Sequence, residues 1–136
     1  MKAKYIRAHL EVARVYGELS SAERLKVGCI IVKDDRIISI GYNGMPAGST
    51  NVCEVNNVTK PEVLHAEANA ILKCAKHGQS CRDADLYLTL SPCKECSKLI
   101  HQAGIKRVIY YKLYKDSSGI DFLQKAGVEI MHLDTV

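Results

Sequence analysis

Four side chains in the middle of the chain have the types and spacing that metal-assisted chemistry needs. His65 and Glu67 stand in a His-Ala-Glu run, and Cys93 and Cys96 stand in a Pro-Cys-Lys-Glu-Cys run. Zinc binds such ligands at about 2.0 Å for imidazole nitrogen and about 2.3 Å for thiolate sulfur. Three protein ligands leave the fourth position of a tetrahedral ion open for water, as in catalytic rather than structural zinc sites. The sequence therefore predicts a catalytic zinc site.

Glu67 is the candidate proton carrier of this site. Bound zinc brings the pKa of water toward about 7, and a nearby carboxylate can then remove the proton and deliver it elsewhere. Glu67 lies only two residues from His65, but both side chains can converge on an ion beyond the first turn of a helix. The alternative is a structural zinc clip beside a solvated Glu67, which is disfavoured because no fourth Cys or His is placed to close the site.

Two helices must bring these residues together. The first is predicted to begin near a capping box at Thr59 and Glu62 and to stop at Gly78. Its apolar positions have helical spacing and are Leu64, Ala68, Ile71, Leu72 and Ala75. The second is predicted over residues 93–103 and ends at Gly104, with Ser91 as N-cap and a proline in the first turn. The positive ends of both helices then favour thiolate and hydroxide at the metal.

The remaining pattern predicts a sheet that carries these helices. The predicted strands are residues 27–33, 36–40, 85–90, 106–111 and 128–133, and the other predicted helices are residues 4–17 and 118–126. Asp34 and Asp35 suggest a hairpin between the first two strands, and residues 41–60 are predicted as a long surface loop. Strands and helices alternate afterwards, which favours parallel pairing. The fold class is therefore α/β, with a five-stranded mixed sheet and a ligand site at the carboxyl ends of its strands.

The length and composition of the chain limit the classes of function that the protein can have. With 136 residues, 47% of them hydrophobic, the chain is expected to form one domain over residues 1–136. No apolar run approaches the roughly 20 residues of a membrane span, and charges interrupt the N-terminus where a signal sequence is apolar. We expect a cytoplasmic protein whose six cysteines are thiols. The net charge of +4 forms no basic stripe and favours a solvated lysine-rich surface, although it is also compatible with a phosphorylated small molecule or with weak nucleic-acid contact.

The combined motifs resemble those of a known family. His-x-Glu followed by Pro-Cys-x-x-Cys is the signature of zinc nucleobase deaminases. Almost the whole chain resembles the cytidine deaminase superfamily, and within it the deoxycytidylate deaminases of bacteria and phages. The resembling runs are residues 26–28, 41–48, 65–71 and 86–93. The Gly-Tyr-Asn-Gly run at residues 41–44 is the discriminating one, because tRNA adenosine deaminases share the zinc motifs but lack this form of the loop.

The resemblance implies a three-layer α/β/α fold of the cytidine deaminase type and a definite reaction. It implies that His65, Cys93 and Cys96 bind Zn²⁺ and that Glu67 shuttles protons. The implied reaction is the hydrolysis of dCMP to dUMP and ammonia, which would supply dUMP for thymidylate synthesis. The resemblance also implies a homohexamer that is activated by dCTP with Mg²⁺ and inhibited by dTTP. The implied effector residues are Tyr42, Asn43 and Gly44. The segment between Pro46 and His65 is short, so part of an effector site or a second zinc site of longer relatives is expected to be missing.

Substrate contacts are predicted at a few further positions. Asn43, flanked by turn formers, is the candidate for a sugar hydroxyl, although it could simply tolerate a left-handed turn. Tyr114 is the candidate neighbour of the pyrimidine, or else an ordinary half-buried tyrosine. The carbonyls of Leu90 and Ser91 are candidates to accept from the departing amino group. Four basic residues are candidates for the 5′-phosphate, with nothing in their spacing to select among them: Arg24, Lys26, Lys112 and Lys115.

Alternative functions remain open at the level of the sequence. The same zinc motifs would serve a tRNA-type deaminase that acts on a flipped base, and residues 110–115 contain the basic and aromatic side chains that such binding needs. A deaminase of another free cytosine nucleoside or nucleotide and a zinc-stabilised binding module are further alternatives. Cys74, His77 and Cys81 could hold a second metal, or they could be plain buried and surface side chains.

Overall fold

A computed structural model describes residues 2–134 of the chain. The helices are α1 (Ala3–Gly17), α2 (Ala66–Lys76), α3 (Lys94–Gln102) and α4 (Ser118–Lys125). The strands are β1 (Gly28–Lys33), β2 (Arg36–Tyr42), β3 (Glu54–Val55), β4 (Val58–Thr59), β5 (Asp85–Leu90), β6 (Arg107–Lys112) and β7 (Glu129–His132). Within residues 2–134, none of the helices has the length and apolar content that a membrane crossing requires.

The main sheet has five strands in the order β2-β1-β5-β6-β7. Strand β1 is antiparallel to both β2 and β5, whereas β5, β6 and β7 run parallel to one another. The predicted five-stranded mixed sheet is therefore confirmed. Parallel pairing follows from the helical crossovers α3 and α4, each of which returns the chain to the end of the sheet where the preceding strand began.

The sheet is buried on both faces because alternate residues of its central strands enter two separate apolar clusters. Cys29 and Ile31 of β1 belong to a cluster shared with α2, α3 and α4. Ile30 and Val32 of the same strand face the other way, into a cluster shared with α1. The helices therefore form a layer on each face, and a strand buried on both sides needs the continuous apolar run that β1 has.

Two tight turns connect the hairpins found within residues 2–134. Asp34 and Asp35 have φ of 51° and 61° between β1 and β2, as the tight turn predicted there requires. The predicted loop over residues 41–60 is wrong in part, because it contains the two-residue strands β3 and β4. Asn56 and Asn57 turn that hairpin with φ of 52° and 64°. The paired asparagines are a hairpin signal, but strands this short leave no alternating pattern in the sequence.

The structure corrects the beginnings of the two site helices. Thr59 lies in β4, so the predicted capping box at Thr59 and Glu62 is wrong, and α2 has His65 as its N-cap. Ser91 is likewise not the N-cap of α3; that place is taken by Cys93. The C-terminal ends were predicted well, since Gly78 and Gly104 follow their helices with φ of 69° and 88°.

Small residues let α2 approach the sheet closely. The buried face of α2 includes Ala66, Ala70 and Cys74, whereas Leu72 and Ala75, which were predicted to face the core, are exposed. A Cβ atom on Gly41 of β2 would lie 2.3 Å from the carbonyl oxygen of Ala66. Helix α2 therefore rests almost on the backbone of β2, and this contact fixes where its N-terminus points.

Candidate active site

The candidate site lies where the N-termini of α2 and α3 meet, beside the carboxyl end of β5. His65 is the N-cap of α2, and Cys93 is the N-cap of α3, three residues after β5 ends at Leu90. Both helix ends carry the partial positive charge of unpaired backbone N–H groups, which favours anionic ligands there. The location at the carboxyl ends of strands agrees with the expectation from the topology.

The metal-ligating atoms of three residues converge at this point. The Nδ1 atom of His65 lies 3.6 Å from Sγ of Cys93 and 3.3 Å from Sγ of Cys96. All three ligand atoms lie within 4.8 Å of one another. Within residues 2–134, this is the one group of three or more such side chains that could hold an ion. Cys74, His77 and Cys81 do not form a second group of that kind.

The arrangement fits zinc. Bond lengths of about 2.0 Å to nitrogen and 2.3 Å to sulfur, at a tetrahedral angle, place nitrogen and sulfur about 3.5 Å apart. The two measured separations, 3.6 Å and 3.3 Å, are close to this value. One imidazole and two thiols are also the donor set that zinc prefers over magnesium or calcium. Three protein ligands leave one tetrahedral position for water.

Mutual hydrogen bonds favour a thiolate at Cys93. The thiol of Cys96 and the ring of His65 both stabilise a thiolate at Cys93, and its pKa is lowered to about 4. The backbone N–H of Cys96 also donates to the Cys93 sulfur, at 3.5 Å, so this sulfur caps α3. The neighbouring thiolate and burial raise the pKa of Cys96. The hydrogen bond to Cys93 raises the pKa of His65.

Glu67 is buried beside the three ligands. Glu67 lies in the first turn of α2 and is only 4% exposed. Burial raises the pKa of the Glu67 carboxyl to about 7, although hydrogen bonding to its backbone and the charge of His65 oppose this effect. A carboxyl group with a pKa near neutrality can both accept and release a proton. The structure therefore gives Glu67 the environment of a general acid and base.

A cavity of about 430 Å³ opens onto His65, Glu67 and Cys93. This volume falls within the range of about 300–1,000 Å³ that is typical of small-ligand sites. Six of the predicted substrate contacts also line it: Arg24, Asn43, Leu90, Ser91, Tyr114 and Lys115. The remaining lining residues are Ala22, Leu25, Val27, Cys53, Glu54, Thr59, Val63 and Ala66.

Asn43 is held firmly in the wall of this cavity. Its Oδ1 accepts from the N–H of Val27 at 2.9 Å, and its Nδ2 donates to the carbonyl of Leu25 at 2.7 Å. The hydroxyl of Ser20 donates to the backbone carbonyl of Asn43 at 2.7 Å. Asn43 is absent from the residues with positive φ among residues 2–134. The left-handed turn that the sequence allowed is therefore not its role, and its side chain instead joins two loops of the cavity wall.

A hydrogen bond links Ser91 and Tyr114, which also line the cavity. Ser91 is 3% exposed, and its hydroxyl accepts from the backbone N–H of Tyr114 at 2.6 Å. The N–H of Ser91 donates to the carbonyl of Lys112 at 2.8 Å. Ser91 thereby fixes the segment after β6 against the beginning of α3, and Tyr114 reaches the cavity from that segment.

The structure separates the four basic candidates into two pairs. Arg24 and Lys115 line the cavity, whereas Lys26 and Lys112 do not. Of the three candidate effector residues, only Asn43 lines it. Tyr42 is half-buried, with the ammonium group of Lys73 at 5.9 Å from its ring centroid. Gly44 forms a bridge with Leu64, next to His65.

Glu54 has a structural role at the cavity that the sequence did not indicate. Its carboxylate accepts from the backbone N–H groups of Glu23, at 3.0 Å, and Arg24, at 3.2 Å. Strand β3 thus fixes the backbone that carries Arg24. No local pattern predicts such a contact, because its partners are about 30 residues apart along the chain.

Comparisons with known proteins agree on one family. The sequence model described as the cytidine and deoxycytidylate deaminase zinc-binding region matches residues 2–112. The chain is 34% identical to the deoxycytidylate deaminase of Enterobacteria phage T4, over 98% of this chain and 90% of that protein. It is 40% identical to the human deoxycytidylate deaminase over 79% of this chain and 65% of that one. A crystal structure of dCMP deaminase from cyanophage S-TIM5, in complex with dCMP and dUMP, superposes with a TM-score of 0.95 at 44% identity, over 98% of this chain and 99% of that one.

Proposed function

The chain belongs to the cytidine and deoxycytidylate deaminase family, and from that premise we propose that it hydrolyses dCMP to dUMP and ammonia. The observation that carries the proposal is the convergence of three candidate zinc ligands beside a cavity of about 430 Å³, which two of them and the buried carboxyl group of Glu67 line. We further propose that residues 1–136 form one deaminase domain. The reliance of the site on two reduced thiols supports a cytosolic location.

His65, Cys93 and Cys96 would hold the zinc ion. When bound, zinc supplies a Lewis acid that brings the pKa of a coordinated water to about 7. The protein contributes the fixed geometry of the ligands, since both Cys93 and His65 stand at helix N-caps that the sheet holds in place.

Glu67 moves the protons in this proposal. It takes the first proton of the attacking water to N3 of cytosine and the second to the departing amino group. The C4–O bond forms, the C4–N bond breaks, and ammonia leaves. Support comes from the burial of Glu67 and from its raised pKa of about 7, which let one carboxyl group both accept and donate near neutral pH.

The walls of the cavity supply the proposed contacts with the nucleotide. In this proposal Asn43 contacts a sugar hydroxyl and Tyr114 lies beside the pyrimidine. The carbonyls of Leu90 and Ser91 accept hydrogen bonds from the departing amino group. All four residues line the cavity. For the 5′-phosphate we favour Arg24 and Lys115, because Lys26 and Lys112 do not line it. Both favoured side chains are exposed, so they can reach a dianion at the mouth of the cavity.

The proposal extends to the oligomeric state of the protein and to its regulation by nucleotides. We propose a homohexamer that responds to dCTP with Mg²⁺ and to dTTP, with Tyr42, Asn43 and Gly44 near the effector. The support is the resemblance of the Gly-Tyr-Asn-Gly run together with the hydrogen-bonded connection of Asn43 to the cavity wall. Size-exclusion chromatography of the protein with and without these nucleotides tests the proposed assembly separately.

A nucleic-acid substrate is the less favoured alternative. In the cluster at residues 110–115, Tyr110 is only 6% exposed and stacks on His132 at 4.7 Å. Tyr110 is thus not free to stack on a base, and Tyr114 already lines the cavity. A platform of successive exposed aromatic rings, as single-strand binding needs, is therefore not formed by these residues.

A substrate panel tests the proposal. Zinc-loaded protein is incubated with dCMP, CMP, deoxycytidine, cytidine and a single-stranded cytosine-containing oligonucleotide, and ammonia release is measured. We expect the largest kcat/KM with dCMP. Faster turnover of a nucleoside or of the oligonucleotide would refute dCMP as the substrate while leaving the deaminase chemistry intact, and the absence of release from all five would refute both.

A further inference from the structure

Asn69 joins the cavity wall to the helix that carries the reacting groups. Its Nδ2 atom donates to the carbonyl of Tyr42 at 2.8 Å. Its backbone N–H donates to the carbonyl of His65 at 3.0 Å, as expected in the first turn of α2. One half-buried residue therefore contacts both the end of β2 and a metal ligand.

A second connection lies on the other side of the metal ligand. The N–H of Gly44 donates to the carbonyl of Leu64 at 3.0 Å, and the N–H of Leu64 donates back to the carbonyl of Gly44 at 2.8 Å. Leu64 immediately precedes His65. The segment 42–44 is thus fixed at Leu64, just before the N-cap of α2, and at Asn69 within α2.

Asn43 lies between these two attachment points and reaches the cavity. Its separation from Glu67 and from the metal ligands depends on both connections. The hydrogen bonds of Asn43 itself run to Ser20, Leu25 and Val27, none of which lies in α2. Displacements of about 1 Å in positioning groups can cost a large factor in enzyme efficiency.

We propose that Asn69 is a positioning residue, which holds the segment 42–44 in register with His65 and Glu67 and so sets the affinity for the nucleotide. This inference rests on the proposed function for the identity of the ligand, dCMP. It gives a role to a residue that touches neither the cavity nor the metal site with its side chain. Because the contact through Asn43 is the same before and during the reaction, its loss raises KM and leaves kcat nearly unchanged.

Lys73 provides a matched control on the same helix. One turn after Asn69, its Nζ atom donates to the carbonyl of Ile40 at 3.0 Å. The bond therefore joins the same two elements, α2 and β2, two residues further from the segment 42–44. If Asn69 served only to hold α2 against β2, loss of either bond would have a similar effect.

The experiment compares Asn69→Ala, Asn69→Asp and Lys73→Ala with the wild type. Asn69→Asp keeps the size of the side chain but replaces the donor with an acceptor, which guards against a packing defect in Asn69→Ala. We expect both Asn69 variants to raise KM for dCMP by about 3- to 10-fold, the range set by one hydrogen bond, with kcat within about twofold and zinc content unchanged. The dissociation constant of dCMP, measured by calorimetry in a Glu67→Gln background, should rise by the same factor. Lys73→Ala should change either quantity by less than about twofold, because its ammonium group, 5.9 Å from the ring centroid of Tyr42, is exposed and makes only a weak contact with the segment.

Amide hydrogen exchange gives a measurement that does not depend on turnover. In the Asn69 variants, the N–H groups of Gly44 and Leu64 should exchange faster than in Lys73→Ala. Wild-type affinity together with wild-type exchange in the Asn69 variants would overturn the inference, and so would an equal rise of KM in Lys73→Ala. A wild-type protein that neither binds nor deaminates dCMP would instead refute the proposed function, and exchange would still decide whether Asn69 fixes the segment.

Discussion

At the scale of single residues, Glu67 combines two properties that rarely occur together. It is a carboxyl group buried almost completely in the first turn of a helix, and it lies beside sulfur and nitrogen atoms that attract a cation. Burial alone would keep it protonated, whereas a bound cation favours its charged form. A small change at the reacting centre can then move its proton in either direction.

The substitution Glu67→Gln tests this role. Glutamine keeps the size and the hydrogen-bonding capacity of the side chain but cannot carry a proton between atoms. We expect kcat to fall by about 10²- to 10⁴-fold, the usual contribution of general acid–base catalysis. Zinc content should remain at one ion per chain, as measured by atomic absorption.

The exposed carboxylate of Glu62 offers a comparison for that experiment. It lies three residues before His65 on the same stretch of chain. Glu62→Gln should leave kcat unchanged, because an exposed carboxylate before the helix has no proton to deliver into the cavity. A Glu67→Gln variant with near-normal kcat would contradict the assigned role.

His9 predicts a pH dependence of stability away from the site. Its ring lies 5.1 Å from that of Tyr87, and burial lowers its pKa below the ordinary value of 6.5, although Asp35 and Asp85 oppose the shift. The unfolded chain therefore binds this proton more readily than the folded one. The contribution of neutral His9 is fully present above pH 6.5 and is lost as the pH falls below that value.

Urea unfolding between pH 5 and 7.5 measures this effect. The free energy of unfolding should fall more steeply toward low pH in the wild type than in His9→Phe, which keeps the aromatic contact without the titrating nitrogen. In nuclear magnetic resonance titrations, His9 should titrate below 6.5. Parallel stability curves for the two proteins would contradict the prediction.

At the scale of elements, local signals predicted the ends of helices better than their beginnings. The glycines after α2, α3 and α4 have positive φ, a backbone requirement that a sequence shows directly. The N-caps of α2 and α3 are His65 and Cys93, which are not common capping residues. These residues lie at the helix starts because the tertiary fold brings the two helix ends together, and local capping rules do not take this into account. Those rules therefore selected Thr59 and Ser91 instead.

The contact between α3 and α4 predicts a sensitive position at Gly119. A Cβ atom there would lie 2.1 Å from the carbonyl oxygen of Pro92 and 2.7 Å from Oγ of Ser97. Gly119→Ala must therefore push α4 away from the turn that carries Cys93. We expect a loss of about 1–3 kcal/mol in the free energy of unfolding, as in other overpacked sites, together with weaker zinc binding in a chelator competition.

An exposed position on the same helix gives the control for Gly119→Ala. Gln124 lies on α4 with its side chain in solvent. Gln124→Ala should change neither the unfolding free energy nor the zinc affinity. If Gly119→Ala behaved in the same way, α4 would not be tightly packed against the site.

At the scale of the whole molecule, the sequence predicted which side chains converge at the candidate site, but not the hydrogen bonds that hold the walls of its cavity in place. His65, Glu67, Cys93 and Cys96 were identified because their types and spacing are specific. The contacts of Glu54 with residue 24 and of Ser91 with residue 114 join segments far apart in the chain. Such contacts depend on how the sheet brings loops together, and no local pattern encodes them.

Removal of zinc should abolish activity without unfolding the molecule. The apolar cluster under the site includes Ala66, Ala70 and Ile100, so α2 and α3 are anchored independently of the ligands. We expect chelation to leave the far-ultraviolet circular dichroism nearly unchanged and to lower Tm by the linkage of metal binding to folding. Added zinc should restore turnover. Loss of helical signal on chelation would show instead that the metal is structural.

The two N-caps also determine which ligands a protein engineer could exchange. The sulfur of Cys93 would serve the ion while it caps α3, whereas His65 caps α2 without a side-chain hydrogen bond. Cys93→His would keep a donor for the ion but remove the cap, at a cost of about 1 kcal/mol in helix stability. His65→Cys carries no such cost. Redesign of this centre is therefore easier toward an all-sulfur ligand set than toward an all-imidazole one, which favours softer ions over harder ones.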